Sequence, residues 1–246
     1  MSLISAELTK LATNAMIAQQ ISSINAIGAI CESVGADVGA LEKAFRQNRR
    51  IGPQYFKAGM GFGGSCLEKD TTELVSMSRS LGLTEVSDYW LGVININRFQ
   101  KERMKAKVSN WFGGSFQGRK IALLGLAYKK GTKDVRSSIA IWMLRQILLG
   151  GAFVAVFDPS IEEWEVRNEI GIVKWTGQLV FCESAYKACE GVDAILLMTD
   201  EQQFANIDWS NFAKGMKEPR FVLDGRDALD DKLMASLGFI VEKAGR

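Results

Sequence analysis

The stretch Lys120-Ile121-Ala122-Leu123-Leu124-Gly125-Leu126-Ala127-Tyr128-Lys129-Lys130-Gly131-Thr132-Lys133-Asp134-Val135-Arg136 sets how the second half of this chain folds. Its opening apolar run, 121–124, has no polar alternation and reads as a strand buried on both faces. The run stops at a glycine and passes into a loop rich in cations. Similar short runs follow at 153–157, ending in Asp158-Pro159, at 179–181, at 194–198, and at 221–223, ending in Asp224-Gly225-Arg226. A helical pattern over 139–149 separates the first two. Short apolar strands alternating with helices predict a doubly wound parallel sheet. Ligands of such sheets bind at the carboxyl edge. The loop after the first strand lies there, and its cations suit a phosphate-bearing ligand; a solvated basic loop fits the same residues equally well. Gly125 is not followed by the second glycine of a G-x-G-x-x-G turn, so a standard dinucleotide site after this strand is not expected. Asp158 stands where a ribose-binding acid would, but Asp-Pro reads more simply as a strand-ending turn.

Upstream of this sheet the pattern is helical. Residues 11–31 carry no charge. Their polar members, Thr13, Asn14, Gln19, Gln20, Ser22, Ser23 and Asn25, argue against a membrane span. Ile17, Ile21, Ile24 and Cys31 recur at helical spacing, predicting one helix over 5–34 that stops at Gly35 and is buried on most sides. Followed backwards, the stripe reaches Asn14 and Lys10, which share a face at i and i+4. Spacing leaves open whether they point into a site or form a solvated first turn. Asp37 caps a second helix with Val38, Leu41 and Phe45 on its apolar face. This helix ends in Arg46, Arg49 and Arg50, a solvated end or an anion site. A third helix is expected over 86–111, stopped by Gly113-Gly114, and the domain boundary is placed there, giving domains 1–114 and 115–246.

Between the second and third of these helices lies Ile51-Gly52-Pro53-Gln54-Tyr55-Phe56-Lys57-Ala58-Gly59-Met60-Gly61-Phe62-Gly63-Gly64-Ser65-Cys66-Leu67-Glu68-Lys69-Asp70. Its clustered glycines let backbone approach a ligand closely. Cys66 follows them at the start of an amphipathic pattern (Leu67, Leu74, Met77, Leu81), where the helix dipole favours a thiolate. Lys69 adds positive charge, and Asp70 shares the helix face of the cysteine. A thiol nucleophile with oxyanion donors and a carboxylate for water is one reading. A small apolar cysteine packed beneath a turn is the other. Cys31, Cys182 and Cys189 are assigned to packing.

The composition removes several alternatives. The chain has 246 residues, 30 Lys plus Arg, 28 Asp plus Glu and no histidine. Without histidine there is no Ser-His-Asp triad, Cys-His dyad or His-ligated metal. A net charge of +2 gives no global field for nucleic acid or an anionic membrane. The cysteines have no zinc spacing, and no metal site is expected. With no signal peptide in view, the expected compartment is the cytoplasm.

The segments 6–15, 61–70, 125–129 and 224–226 together resemble the UDP-glucose/GDP-mannose dehydrogenase family, in that family's order. The resemblance extends over nearly the whole chain. It implies an all-helical central dimerisation domain followed by a Rossmann-like, UDP-sugar-binding domain. It also implies that an N-terminal NAD-binding domain lies outside these residues and that this portion is inactive by itself. The implied reaction is a four-electron oxidation of UDP-glucose by NAD, through a thiohemiacetal and a thioester on Cys66. The resemblance makes Lys10 the oxyanion stabiliser, Asn14 its hydrogen-bonding companion and Asp70 the residue that handles water. It points to Arg50, Tyr55, Lys57, Gly63, Tyr128, Lys129 and Arg226 for the UDP-sugar, with Arg50 donated across a homodimer or higher homo-oligomer. Arg136 and Lys69 are the residues it turns toward NAD. GDP-mannose as the sugar nucleotide, or a binding and dimerisation module without redox chemistry, are the alternatives.

Overall fold

The computed structural model describes residues 1–51, 54–171, 177–216 and 218–246. The chain forms two compact units, Met1–Arg103 with Ala244–Arg246, and Met104–Lys243.

The first unit is helical: α1 Leu3–Val34, α2 Val38–Gln47, α3 Ser65–Ser80 and the greater part of α4 Thr84–Trp111. Local chemistry sets the ends. The Ser2 hydroxyl accepts from Ser5 N–H, Gly35 takes the left-handed conformation at φ 73°, and Asp37 accepts from Gly39 N–H. α1 buries one face rather than most of its surface. Ala15, Ala18, Ser22, Ile24, Asn25, Gly28 and Cys31 point inward. Met16, Ile30 and Val34 are exposed. The inward residues are mostly small, so neighbouring backbone can come close, and the Ser22 hydroxyl donates to Val93 O of α4 at 2.8 Å. The last residues of the chain return to this unit. Gly245 N–H donates to Glu32 at 2.6 Å, and Arg246 pairs with Asp37 at 3.0 Å.

The second unit is a six-stranded sheet: β1 Lys120–Leu124, β2 Phe153–Phe157, β3 Leu179–Phe181, β4 Ala194–Leu197, β5 Arg220–Asp224 and β6 Phe239–Glu242. All neighbours are parallel, in the order β3-β2-β1-β4-β5-β6. This is the doubly wound fold expected, with one strand more: β6 is a run of only four residues. The helices between the strands are α5 Ile139–Leu149, α6 Glu163–Ile170, α7 Ala185–Ala188, α8 Gln202–Ala205, α9 Trp209–Gly215 and α10 Asp231–Ser236. One core joins Ala122, Leu124, Ile195, Leu197 and Val222 to Phe204, Trp209 and Phe212. Alternate residues Ile121 and Leu123 are also fully buried, as are Met143, Leu144 and Ile147 of α5. The units divide inside α4, ahead of Gly113-Gly114, because the last turns of that helix belong with the sheet: Met104 and Val108 are fully buried and Trp111 stacks on Phe221 at 4.9 Å. The register pairs Leu124 with Phe157 and Leu197, and Leu197 with Asp224. Gly125, Asp158, Met198 and Gly225 therefore leave the sheet along one edge, at the reversal of strand order between β1 and β4.

Candidate functional site

The glycine loop is held by polar side chains from three helices. Ala58 N–H donates to Glu42 Oε1 at 2.6 Å, and Gly59 N–H to Asn25 Oδ1 at 2.9 Å. Gln100 Nε2 donates to Gly59 O. Asn97 bonds both sides of Phe62, accepting from its N–H at 2.8 Å and donating to its carbonyl at 3.0 Å. All four of these side chains belong to buried residues, as do Met60 and Phe62 of the loop. Loop backbone in the interior must find partners, and here side chains supply what a sheet or helix would. Sequence reasoning missed these residues as site-builders. Asn25 served only as an argument against a membrane span, although helical spacing also puts Glu42 on the inward face with Val38 and Phe45.

The loop delivers Cys66 to the first turn of α3. Gly64 precedes the helix at φ 83°, ψ 151°, a conformation open to glycine. Cys66 is exposed, and Asp70 stands one turn further on, 1% exposed. The Asp70 carboxylate accepts from Asn14 Nδ2 at 2.5 Å and pairs with Lys10 Nζ at 3.5 Å. Lys10 and Asn14 thus turn their shared face of α1 onto α3, Asn14 half-buried against Asp70 and Lys10 still in a solvated turn. Most of the Lys10 side chain remains open to solvent. Lys69 is exposed on the adjoining face of α3. The other thiols differ: Cys31 and Cys189 are buried, Cys182 is half-buried, and burial pushes both Cys182 and Cys189 above the usual thiol range.

Arg50, Tyr55 and Lys57 are exposed on the segment leading to the glycines, and Gly63 is half-buried. Arg50 N–H donates to Asn48 Oδ1 at 3.0 Å, and Tyr55 holds a left-handed φ of 63°. Gly52 and Pro53, between them, lie outside the described residues. Of the arginines ending α2, Arg46 pairs with Glu42 at 3.5 Å.

In the sheet unit, Gly125 leaves β1 at φ 88°, and a side chain there would collide with the Thr199 hydroxyl. Asp158 closes the edge beside it. One carboxylate oxygen accepts from Leu126 N–H at 2.6 Å and Ala127 N–H at 3.2 Å, the other from Ser160 and Ile161. Asp158 is a turn residue, as its Asp-Pro context suggests, and it also occupies the amides that a dinucleotide pyrophosphate would use. The next helix begins only at Ile139. The turn after β1 is therefore not built as a G-x-G-x-x-G dinucleotide turn.

What the edge does assemble is cationic. Lys129 Nζ lies 5.5 Å from the centre of the Tyr128 ring. Half-buried Arg226 reaches from the end of β5 to Met198 O at 2.8 Å and Tyr128 O at 3.3 Å. Burial pulls its guanidinium below the ordinary arginine value, opposed by nearby Asp200. Tyr128, Lys129 and Arg226 thus share one edge. Arg136 is turned into its own loop: its fork grips Asp134 at 3.0 and 2.9 Å and holds that carboxyl below the usual carboxylate range.

Residues 4–99 match the central domain of the UDP-glucose/GDP-mannose dehydrogenase family, and residues 122–231 match its UDP binding domain. The chain belongs to the UDP-glucose/GDP-mannose dehydrogenase family. It is 37% identical to UDP-glucose 6-dehydrogenase 5 of Oryza sativa subsp. japonica over 98% of its length and 54% of that protein's. With UDP-glucose 6-dehydrogenase of Caenorhabditis elegans it shares 38% identity over 96% of this chain and 50% of the other. A solved UDP-glucose dehydrogenase from Pyrobaculum islandicum superposes with a TM-score of 0.82 at 30% identity, covering 98% of this chain and 51% of that one. The chain spans about half the length of the curated relatives it matches. Within the family, the thiol site falls in the central domain and the cationic edge in the UDP binding domain. No helix among the described residues is long and apolar enough to cross a membrane.

Proposed function

We propose that this chain is the thiol-bearing and UDP-sugar-binding portion of a UDP-glucose 6-dehydrogenase, with Cys66 as its nucleophile. The observation that carries this is the exposed thiol at the head of α3, one turn before a buried carboxylate held by Asn14 and Lys10. In this reading the Cys66 sulfur bonds to the C6 carbonyl carbon of the sugar aldehyde, and the oxyanion so formed faces the Lys10 ammonium. Asp70, fixed by Asn14, takes a proton from the water that later hydrolyses the thioester, releasing the carboxylate and the thiol. Oxidation at C6 requires a hydride acceptor, which NAD supplies in the family reaction. In the sheet unit Arg226 and Lys129 provide charge for the pyrophosphate and Tyr128 a flat surface for the base, and in the helical unit Tyr55 and Lys57 are further UDP-sugar contacts by the family resemblance. Gly63 allows close approach, and Arg50 serves the neighbouring subunit. Lys69 and Arg136 are the residues assigned to the cofactor. A cytoplasmic setting keeps Cys66 reduced.

Calorimetry with UDP-glucose, UDP and GDP-mannose, beside an assay of NAD reduction, tests the reading. The expected result is binding of the two uridine nucleotides in preference to GDP-mannose, with no NADH formed. Preference for GDP-mannose would move the chain to the other branch of the family. Robust NADH production by these 246 residues would overturn the division of labour. A binding module without redox chemistry has no use for Cys66, Lys10 and Asp70 together.

The same proposal includes a homodimer through the helical unit. Met16, Ile30 and Val34 of α1 and Tyr89 of α4 are exposed. Beside them Ser22, Ala26, Val93 and Ile96 line a shallow groove between the two helices. A stable assembly covers such a face. Light scattering at micromolar protein is expected to give twice the chain mass or more, and a persistent monomer would refute it.

A further inference from the structure

We propose that Lys243 is a positioning residue for nucleotide binding: its ammonium clamps the 225–229 turn and so aims Arg226 across the sheet edge. This rests on the reading of Arg226 as a UDP contact.

Lys243 is 4% exposed, just past β6. Its Nζ meets three carboxylates, Asp231 at 2.6 Å, Asp227 at 2.9 Å and Asp224 at 3.5 Å, and donates to Leu229 O at 2.9 Å. A buried ammonium without partners is prohibitively costly, so this arrangement holds only while all the groups stay in place. Burial works against the charge on Lys243. The hydrogen bonds to Asp231 and Asp227 and the field of Asp224 outweigh it and lift the ammonium above the ordinary lysine value. It therefore remains charged at neutral pH.

Asp224, Asp227 and Leu229 belong to the end of β5 and the turn that follows it, while Asp231 opens α10. The Asp224 carboxylate, 1% exposed, accepts from Arg226 N–H at 3.1 Å, from Ala228 N–H at 2.9 Å and from Leu229 N–H at 2.9 Å. It thereby folds the chain back on itself around Arg226. Asp227, the next residue, sits in the left-handed region at φ 50°, a conformation a non-glycine residue keeps only when its surroundings over-determine it. The Lys243 ion pair is such a constraint. Remove it, and Asp227 can relax to negative φ, which re-aims the residue immediately before it. Arg226 then loses its hold on Met198 O and Tyr128 O. A residue that only fastened β6 to α10 would not need to meet Asp224 and Asp227 as well.

The test uses the full chain and the variants Lys243→Met, Lys243→Arg, Asp227→Ala and Arg226→Ala. UDP affinity is measured by calorimetry, and exchange of the Ala228 and Leu229 amides by mass spectrometry. Lys243→Met is expected to weaken UDP binding about tenfold or more, matching the loss of one charge-assisted contact, and to speed exchange in the turn. Lys243→Arg should restore most of both, which simple loss of packing would not predict. Asp227→Ala, at a half-buried site, should weaken binding in the same direction. Affinity and exchange in Lys243→Met equal to wild type would overturn the clamp. If Lys243→Met does not fold, wild-type affinity in Asp227→Ala would overturn it. Should wild type itself fail to bind UDP, the nucleotide reading falls. Exchange then judges the clamp alone, with an unprotected turn in wild type counting against it.

Discussion

Iodoacetamide at neutral pH is expected to label Cys66 first and, in short exposures, Cys66 alone. Alkylation requires both access and thiolate. Cys66 is exposed on the first turn of a helix whose dipole favours negative charge there. Cys31 is 3% exposed and Cys189 1% exposed, so either reacts only when the structure opens locally. Cys182 is half-buried, and burial raises its thiol above the usual range, lowering its thiolate fraction at neutral pH. Raising the pH toward that value should bring Cys182 forward while Cys31 stays silent. Peptide mapping after timed labelling reads the order, and Cys66→Ala should abolish the fast phase. Label on Cys31 or Cys182 ahead of Cys66 would remove the basis for calling Cys66 a nucleophile.

Ile24→Glu is expected to unfold the helical unit. Ile24 is fully buried on the inward face of α1, beside the Asn25 that holds Gly59. A carboxylate there must be desolvated without a partner or force the helix away from its neighbours. Either route costs on the order of 3–5 kcal/mol or more, a large part of the stability of an ordinary domain. The loss of Asn25 from its place would also release the cysteine loop. Circular dichroism should show a collapsed melting transition, while Ile24→Val costs only about 0.5–1.5 kcal/mol as a trimmed methylene. A variant that melts with wild type would mean that Ile24 faces solvent and that α1 has been assigned the wrong inward face.

Much of the architecture follows from signals a few residues long. The apolar runs at 153–157 and 179–181 and the periodic segment 139–149 coincide with β2, β3 and α5 because strand and helix cores are dictated by local hydrophobic pattern. Gly35 and Asp37 mark helix ends because capping involves the neighbouring amides. The Gly-Gly-Ser-Cys segment announces a thiol at a helix start by composition alone. β6 was not read, although its apolar run 239–241 is as long as that of β3. Asp158 was legible as a turn; that it also fills the amides after β1 was not.

Partners of buried polar groups were of another kind. The face shared by Lys10 and Asn14 was readable from spacing, but its target, Asp70, lies in another helix, some 56 residues away in sequence for Asn14. Asn25, Glu42, Asn97 and Gln100 look like ordinary polar residues of helices until the loop they hold is folded among them. Lys243 reads as one more cation near the chain end, yet four groups between Asp224 and Asp231 converge on it. The chain's own order thus determined most of the elements and the fold class, because periodicity and capping act between near neighbours. Which side chain satisfies which buried amide, carboxylate or ammonium was decided only by tertiary packing, because desolvation makes each such group depend on whatever distant element closes over it.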